Sequence, residues 1–293
     1  METIHTVEWM KQVARQASGT GRLLGLVPTM GALHEGHLSL VRAARLECSP
    51  VVVSIFVNPK QFGPSEDLQK YPRRMEADRA LLETLGVDYL FAPTDEEFYP
   101  RGHRTYVEVE ELGRGFEGRA RPGHFRGVAT AVVKLLEIAQ PHCAYFGRKD
   151  AQQARIIRQL VADLNLDARL EICPIVREPD GLAMSSRNVF LSPAERCAAT
   201  VLYRGLDAIR QEIARGERDA TRLVAALRRL LDAEPLAAVD YAEIVDAESF
   251  EPVARLSGTC LALVAARVGA TRLLDNMLIE GDRGDGGTLH TQL

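Results

Sequence analysis

The stretch from Leu23 to Leu46 constrains the fold more than any other part of the 293-residue chain. It opens with an uninterrupted apolar run, Leu23-Leu24-Gly25-Leu26-Val27, which is typical of a parallel strand covered on both faces. A tight turn follows, and apolar residues then recur at helical spacing as far as Ala44. With the β-branched run Val51–Val57 further on, the pattern predicts a right-handed βαβ unit.

Two histidines, His34 and His37, lie at the predicted start of that helix. Residues three apart on a helix share one side, so both imidazoles can face the same ligand. Gly31 and Gly36 remove side chains where a ligand could approach the backbone. Free N–H groups and the helix dipole favour phosphate there. A pair of exposed surface histidines fits the same short pattern, so the choice between the two interpretations depends on the other motifs.

The ten residues from Pro28 to His37, Pro-Thr-Met-Gly-Ala-Leu-His-Glu-Gly-His, resemble the nucleotide-binding signature of the pantoate beta-alanine ligase (pantothenate synthetase) family. Their H-x-G-H is similar to the HIGH motif of the Rossmann-like nucleotidyltransferase superfamily. The resemblance implies that this segment binds ATP through Met30, Gly31, Ala32, Leu33, His34, Glu35, Gly36 and His37.

A second block, Asn58-Pro59-Lys60-Gln61-Phe62, follows the Val51–Val57 run. Ligands of open α/β sheets bind outside the carboxyl ends of strands, so Gln61 is well placed for a polar substrate. Its position alone equally fits an ordinary loop amide. The block resembles the family's Asn-Pro-x-Gln-Phe, which implies that Gln61 binds pantoate and lies near beta-alanine; Lys60 departs from the common pattern.

A third block, Gly147-Arg148-Lys149-Asp150-Ala151-Gln152-Gln153, follows an apolar strand predicted over 141–146. Lys149 can place a positive charge on a phosphate, although a Lys-Asp pair also suits a simple helix cap. The block resembles the family's F-G-x-K-D-x-Q-Q, with departures at Arg148 and Ala151. The resemblance assigns pantoate binding to Gln153. It assigns ATP binding to Gly147, Arg148, Lys149 and Asp150.

The fourth block, Met184-Ser185-Ser186-Arg187-Asn188, follows a strand predicted over 170–176. Two hydroxyls and a guanidinium in sequence form a compact donor array for phosphates. The block resembles the family's counterpart of the mobile KMSKS loop. ATP binding is thereby implied for Val176, Met184, Ser185, Ser186 and Arg187. The catalytic residues implied by the four blocks are His34, His37, Lys149 and Arg187.

Two further features receive no functional assignment. The basic, Gly-rich loop 117–127 resembles the family's R-P-x-H-F-x-G segment, but alone it is typical of a solvated turn or a subunit contact. Asp67 and Asp78 are candidates for binding a cation. The preferred interpretation is that both are solvated acidic residues on the surface.

The predicted fold class is α/β: a Rossmann-like parallel sheet flanked by helices, with a smaller C-terminal α+β lid domain. Residues 1–176 are expected to form the ATP- and pantoate-binding domain, 177–283 the lid with the MSSRN loop, and 284–293 a flexible tail. An exposed strand is predicted over 105–109. A capping box at Ser192–Glu195 predicts one long helix that ends near Arg215.

Composition excludes several classes of protein. A net charge of −4 and a pI near 6.0 argue against a broad nucleic-acid-binding surface. The five scattered cysteines lack C-x-x-C spacing and are interpreted as buried thiols in a reducing compartment. Neither a signal peptide nor an apolar run of about 20 residues is present, so a cytoplasmic protein without a membrane span is expected. The resemblance further implies that the protein uses Mg²⁺ and forms a homodimer.

The function implied by the resemblance is a ligase that forms a carbon–nitrogen bond. It condenses pantoate with beta-alanine and converts ATP to AMP and pyrophosphate through a pantoyl adenylate. The main alternative is another HIGH-superfamily adenylyltransferase, which would join AMP permanently to its acceptor. An aminoacyl-tRNA synthetase would need an RNA-binding appendage, and a non-catalytic ATP-binding protein would not need the full set of phosphate-facing residues.

Overall fold

The computed structural model describes residues 1–63, 68–281 and 289–293. The chain forms two compact units: the first contains Met1–Arg148 and Gln152–Pro174, and the second contains Lys149–Ala151 and Ile175–Leu293. The division predicted from the sequence lies after residue 176, whereas the first unit ends at Pro174 and Lys149–Ala151 belong with the second unit. None of the described helices is long and apolar enough to cross a membrane.

The first unit is built on a six-stranded sheet. Its strands are β1 (Glu2–Ile4), β2 (Gly25–Thr29), β3 (Val51–Ile55), β4 (Tyr89–Phe91), β5 (Cys143–Gly147) and β6 (Arg169–Cys173). They are all parallel, in the order β1-β4-β3-β2-β5-β6. The direction of winding reverses between β2 and β5, and a crevice for ligands forms at such a switch point. The short edge strand β1 was not predicted.

Helices cover both faces of this sheet. They are α1 (Val7–Gly19), α2 (Glu35–Glu47), α3 (Met75–Thr84), α4 (Asp95–Phe98), α5 (Phe116–Ala120), α6 (His124–Ala139) and α7 (Ala151–Asp163). Successive residues of β2 serve opposite faces: Leu26 packs in the core that includes α1 and α6, and Val27 packs in the core that includes α2 and α3. The predicted Rossmann-like parallel sheet is confirmed.

The second unit combines helices with an antiparallel sheet. Its elements are α8 (Pro193–Ala199), α9 (Val201–Ala214), α10 (Ala220–Asp232), β7 (Ala237–Asp246), β8 (Cys260–Val268), β9 (Thr271–Glu280) and β10 (His290–Gln292). The strand order is β10-β9-β8-β7. Leu206, Leu227 and Val264 are fully buried in a core shared by α9, α10 and the sheet. This arrangement confirms the predicted α+β character.

Several local expectations were wrong. Residues 105–109 form no strand in the described structure, where the Val107 N–H donates to Thr130 Oγ1 (3.0 Å). The long helix is interrupted at Thr200, whose hydroxyl donates to the Cys197 carbonyl (2.7 Å) and competes with helical bonding. Residues 290–292, within the predicted flexible tail, pair with β9, and residues 284–288 lie outside the described ranges; the flexibility of the tail stays a prediction. The capping box is confirmed.

All five cysteines are free thiols, as expected. Four are buried, but Cys197 is exposed, so the prediction of burial was wrong for this residue. Burial raises the pKa of the Cys173 thiol to about 11, which keeps it protonated and unreactive near neutral pH.

Replacing Gly181 tests the packing of the second unit. Its φ of +91° lies in the left-handed region, and an added Cβ would lie 2.1 Å from a ring carbon of Tyr203. We expect Gly181→Ala to lower the free energy of unfolding by about 2–4 kcal/mol through backbone strain and overpacking. Urea denaturation measures the change.

Gly216→Ala is the matched control, because Gly216 also has a positive φ (+103°) but a Cβ added there would have no atom within 4 Å. It should lose only about 1–2 kcal/mol. Equal losses in the two variants would show that Tyr203 does not restrict this position.

Candidate active site

The turn between β2 and α2 contains two consecutive residues with left-handed backbone, Gly31 (φ 81°) and Ala32 (φ 51°). Asp78 of α3 holds this turn. Its carboxylate, in a residue only 2% exposed, accepts the Ala32 N–H at Oδ2 (2.8 Å) and the Leu33 N–H at Oδ1 (2.8 Å). The left-handed conformation costs a non-glycine residue about 1 kcal/mol, and two charge-assisted hydrogen bonds offset that cost.

Asp78 is therefore not a solvated surface acid, and that interpretation was wrong. A signal was present in the sequence: Asp78 lies four residues before Leu82, the other buried residue of α3, and so occupies its inward face. Asp67, the second acidic residue considered, lies outside the described residues.

The two predicted histidines cap α2 reciprocally. His34 is the N-cap rather than a residue within the helix, and His37 lies in the first turn. The Gly36 N–H donates to His34 Nδ1 (3.2 Å), and the His34 N–H donates to His37 Nδ1 (3.3 Å). The ring centroids are 4.1 Å apart. Because each Nδ1 accepts a hydrogen bond, a neutral ring carries its proton on Nε2. Nε2 is thus the donor nitrogen of both imidazoles.

Gln61 lies beside the nucleotide motif in the first unit. It ends a short 3₁₀ helix, Pro59–Gln61, that follows β3. Its Nε2 donates to Met30 Sδ (3.0 Å), and its Oε1 accepts from Asn58 Nδ2 (3.0 Å). The structure thus brings together one residue predicted to bind pantoate and one predicted to bind ATP.

Asn58 also belongs to this candidate site, although the sequence did not predict a role for it. It is only 2% exposed, its Oδ1 accepts the Tyr99 hydroxyl (2.9 Å), and its Nδ2 also donates to the Gly127 carbonyl (3.0 Å). Burial raises the pKa of Tyr99, so its phenol stays protonated as a donor. These bonds hold Asn58, and Asn58 in turn orients the Gln61 amide.

The basic loop 117–127 also supports Gln61. His124, only 7% exposed, contacts the Gln61 carbonyl through Nδ1 (2.9 Å), and an Arg121 guanidinium nitrogen lies 3.5 Å from the same oxygen. Gly127 packs so closely on this segment that an added Cβ would lie 2.2 Å from the Lys60 carbonyl oxygen. The family match at this loop was therefore informative, although no role was assigned to it from sequence.

The third block follows β5, which lies next to β2 in the sheet. Gly147 is its last residue, and Arg148 comes next. Gln152 on α7 is buried and serves the protein itself: its Nε2 donates to the carbonyls of Leu112 (2.8 Å) and Gly115 (3.0 Å). Gln153 is half-buried. The neighbouring strands β3, β2 and β5 thus each lead into a segment that contains predicted site residues.

The second unit brings other predicted residues together. The Met184 N–H donates to the Val176 carbonyl (3.0 Å), and Ser185 Oγ accepts the Arg187 N–H (3.2 Å). Outside this segment, Arg196 binds Asp180 (2.7 Å), and its hydrogen bond lowers the pKa of that carboxyl. In the same unit, Lys149 Nζ lies 3.8 Å from Asp150 Oδ1.

A helix N-terminus with two imidazoles, at the switch point of a parallel sheet, is typical of nucleotide-binding α/β proteins. The family model for pantoate-beta-alanine ligase matches residues 2–278. The chain belongs to this family.

Individual relatives are similar in sequence to this chain over their full length. The pantothenate synthetase of Roseiflexus sp. (strain RS-1) is 53% identical over 280 residues, which cover 96% of this chain and 100% of the relative. The pantothenate synthetase of Heliobacterium modesticaldum is 54% identical with the same coverage.

Solved structures extend the agreement to the fold. A crystal structure of pantothenate synthetase from Thermus thermophilus has a TM-score of 0.90 and 46% identity, and covers 94% of this chain and 98% of that chain. The pantoate-beta-alanine ligase of Francisella tularensis, described as complexed with beta-gamma ATP and beta-alanine, has a TM-score of 0.76 and 34% identity, with coverages of 94% and 97%. The predictions of the family, the fold class and an ATP-dependent ligase are confirmed.

Removing the Asp78 carboxylate should destabilise the turn. Asp78→Ala leaves two N–H groups without their acceptors, so we expect the free energy of unfolding to fall by about 2–4 kcal/mol in urea denaturation. Glu76→Ala, at an exposed position in the same helix, is the control and should cost less than about 1 kcal/mol. A similar small loss in both variants would refute the role given to Asp78.

Proposed function

We propose that this chain condenses pantoate with beta-alanine through a pantoyl adenylate, and that the residues predicted above bind its substrates. The observation that carries the proposal is the family match over residues 2–278, together with the Francisella tularensis relative described with beta-gamma ATP and beta-alanine. Asp78, Asn58 and His124 support it, because each holds a predicted ligand residue or its backbone in place.

The reaction has two steps. A carboxylate is a poor acyl donor because its leaving group would be oxide. A carboxylate oxygen of pantoate therefore attacks the α-phosphorus of ATP, the bond to the bridging oxygen breaks, and pyrophosphate leaves with that electron pair. The amine of beta-alanine then attacks the acyl carbon and loses a proton, and AMP leaves with the electrons of the acyl C–O bond. No covalent enzyme intermediate is required.

The first step needs in-line positioning and neutralisation of negative charge. In the first unit we assign ATP binding to Met30–His37, Gly147 and Arg148. The N–H groups at the start of α2 and the Nε2 donors of His34 and His37 would bind phosphate oxygens. His37 is also assigned as the proton donor, although pyrophosphate needs charge stabilisation at least as much as a proton.

In the second unit we assign ATP binding to Lys149, Asp150, Val176 and Met184–Arg187. Lys149 and Arg187 carry the positive charge, and the hydroxyls of Ser185 and Ser186 add donors. The hydrogen bond between the Met184 N–H and the Val176 carbonyl supports a shared role for these two residues. The role of this unit as a lid remains a prediction.

Pantoate binding is assigned to Gln61 and Gln153, with beta-alanine near Gln61. Gln61 Oε1 accepts a hydrogen bond from the Asn58 amide, so Gln61 Nε2 is the group that would donate to the substrate. Its contact with Met30 Sδ is weak and is readily exchanged for a hydroxyl or carboxylate oxygen.

Magnesium is proposed to arrive with ATP as MgATP. Among the described residues, no group of three or more His, Cys, Asp or Glu side chains is arranged to hold a metal ion. Both oxygens of Asp78 already accept N–H groups. Phosphate oxygens and water suit this ion, which keeps several waters in most protein sites.

We also propose that the protein is a cytoplasmic homodimer. The family resemblance supports the dimer. The free cysteines support a reducing compartment, since all five are present as thiols.

One assay tests the reaction. Purified protein is mixed with MgATP, pantoate and beta-alanine, and the products are quantified. We expect AMP and pantothenate in equal amounts, and only when both substrates are present. An adenylyltransferase that joins AMP permanently to its acceptor would release no free AMP, and that result would refute the proposal.

His37→Ala and Lys149→Ala should each lower the rate of pyrophosphate release by about 100-fold or more, because each removes a donor to the transferring phosphates. The fold should be retained, which circular dichroism and thermal melting check. Near-normal pyrophosphate release by both variants would contradict the assigned roles.

Gln61→Ala and Gln153→Ala should act on pantoate affinity. Loss of one neutral hydrogen bond in each variant should raise the KM for pantoate about tenfold while the KM for ATP changes less. Steady-state kinetics with each substrate varied in turn give both constants. An unchanged pantoate KM in both variants would exclude this pocket.

A further inference from the structure

The strand β9 in the second unit carries an adjacent pair of buried polar residues, Asp275 (3% exposed) and Asn276 (1% exposed). The odd-numbered residues of this strand face the hydrophobic core, as the burial of Leu273 and Met277 shows. Of its even-numbered residues, all of which the structure describes, Asn276 alone is buried. Something other than the core therefore covers Asn276.

Asn276 is covered by the segment that contains Lys149. Its Nδ2 donates to the Lys149 carbonyl oxygen (2.9 Å). This contact lies within the second unit, since Lys149–Ala151 belong to it. The Lys149 side chain itself is 23% exposed, so the bond fixes the backbone while the ammonium group remains partly in solvent.

Asp275 holds a second segment. Its carboxylate binds the Arg177 guanidinium through two hydrogen bonds of 2.6 and 2.9 Å. Arg177 also donates to the Gly181 carbonyl (3.0 Å), and its guanidinium lies 5.1 Å from the centre of the Tyr203 ring. Arg177 and Ala183 pair as an antiparallel bridge, so the turn from which Met184–Arg187 emerge is closed at its base.

A stable sheet does not in general need a buried polar pair of this kind. Burying polar and charged groups is costly, and an apolar pair of similar volume often serves stability as well or better. The neighbouring positions Ala262, Val264 and Ile279 are apolar, as is usual for this core. The pair therefore has to be explained by what it holds: the Lys149 backbone on one side and the Arg177 turn on the other.

We propose that Asn276 is a positioning residue for Lys149, and that Asp275 and Asn276 together hold Lys149 and the Met184–Arg187 segment at a fixed separation. The inference rests on the proposed function, in which both segments bind ATP. Two adjacent residues of one strand thereby fix the positions of two groups of phosphate-binding donors. The conformational entropy lost when ATP binds is then smaller.

The test compares Asn276→Leu with the wild-type full chain. Leucine keeps the size of the side chain but cannot donate to the Lys149 carbonyl. We expect the Kd for MgATP, measured by calorimetry, to rise about tenfold, and pyrophosphate release in the presence of pantoate alone to slow at least as much. The KM for beta-alanine should stay unchanged. Asn276→Asp, which also removes the donor, replaces the leucine variant if that variant does not fold.

Met277→Val is the matched control, because Met277 is the next residue of β9 and is fully buried in the hydrophobic core. It should lower the Tm without changing the Kd for MgATP. An Asn276→Leu variant within twofold of wild type for both MgATP binding and pyrophosphate release would overturn the inference. Losses in Asn276→Leu and Met277→Val that simply follow their Tm values would overturn it as well.

Failure of the proposed function gives a different result. If the wild-type chain binds MgATP but forms no pantothenate, the function is wrong, and the ratio of MgATP affinities between wild type and Asn276→Leu still decides the inference. If the wild-type chain does not bind MgATP, both are wrong.

Discussion

The first unit depends on one interaction, the pair of hydrogen bonds from the Ala32 and Leu33 N–H groups to the Asp78 carboxylate. The chain leaves β2 through left-handed backbone and must start α2 within a few residues. Asp78 holds that turn, so the N-terminus of α2 and its two capping histidines lie at the carboxyl edge of the sheet, at the switch point. A phosphate site requires this placement, because the donor N–H groups and the imidazoles act only at the helix end.

The other predicted ligand residues are held in a similar way. Asn58 orients the Gln61 amide, His124 contacts the Gln61 carbonyl, and Asn276 binds the Lys149 carbonyl. These three supporting residues are almost fully buried, and each acts on a backbone group or on the amide of a more exposed residue. Buried supports of this kind limit the motion of ligand residues, which catalysis by positioning requires.

The sequence predicted what depends on local pattern. The apolar runs of β2 and β3 and the capping box at Ser192 follow from spacing and residue type, whereas the four motif blocks were recognised by their resemblance to the family. It did not predict what depends on tertiary contacts. Asp78 and Asn276 bind groups 46 and 127 positions away, so local pattern does not reveal these partners, although the spacing of Asp78 and Leu82 indicates that Asp78 faces inward. The Thr105–Val109 stretch alternates like a strand, but Val107 bonds to a side chain instead of a neighbouring strand.

The central claim is that the histidine-capped N-terminus of α2 binds the phosphates of ATP while pantoate is adenylated. Exchange of labelled pyrophosphate into ATP without beta-alanine tests this claim most directly, because the exchange needs only the first step and its reversal. We expect exchange that requires pantoate, and its loss in a folded variant in which both His34 and His37 are alanine. Exchange without pantoate, or undiminished exchange in that variant, would contradict the role of this helix end.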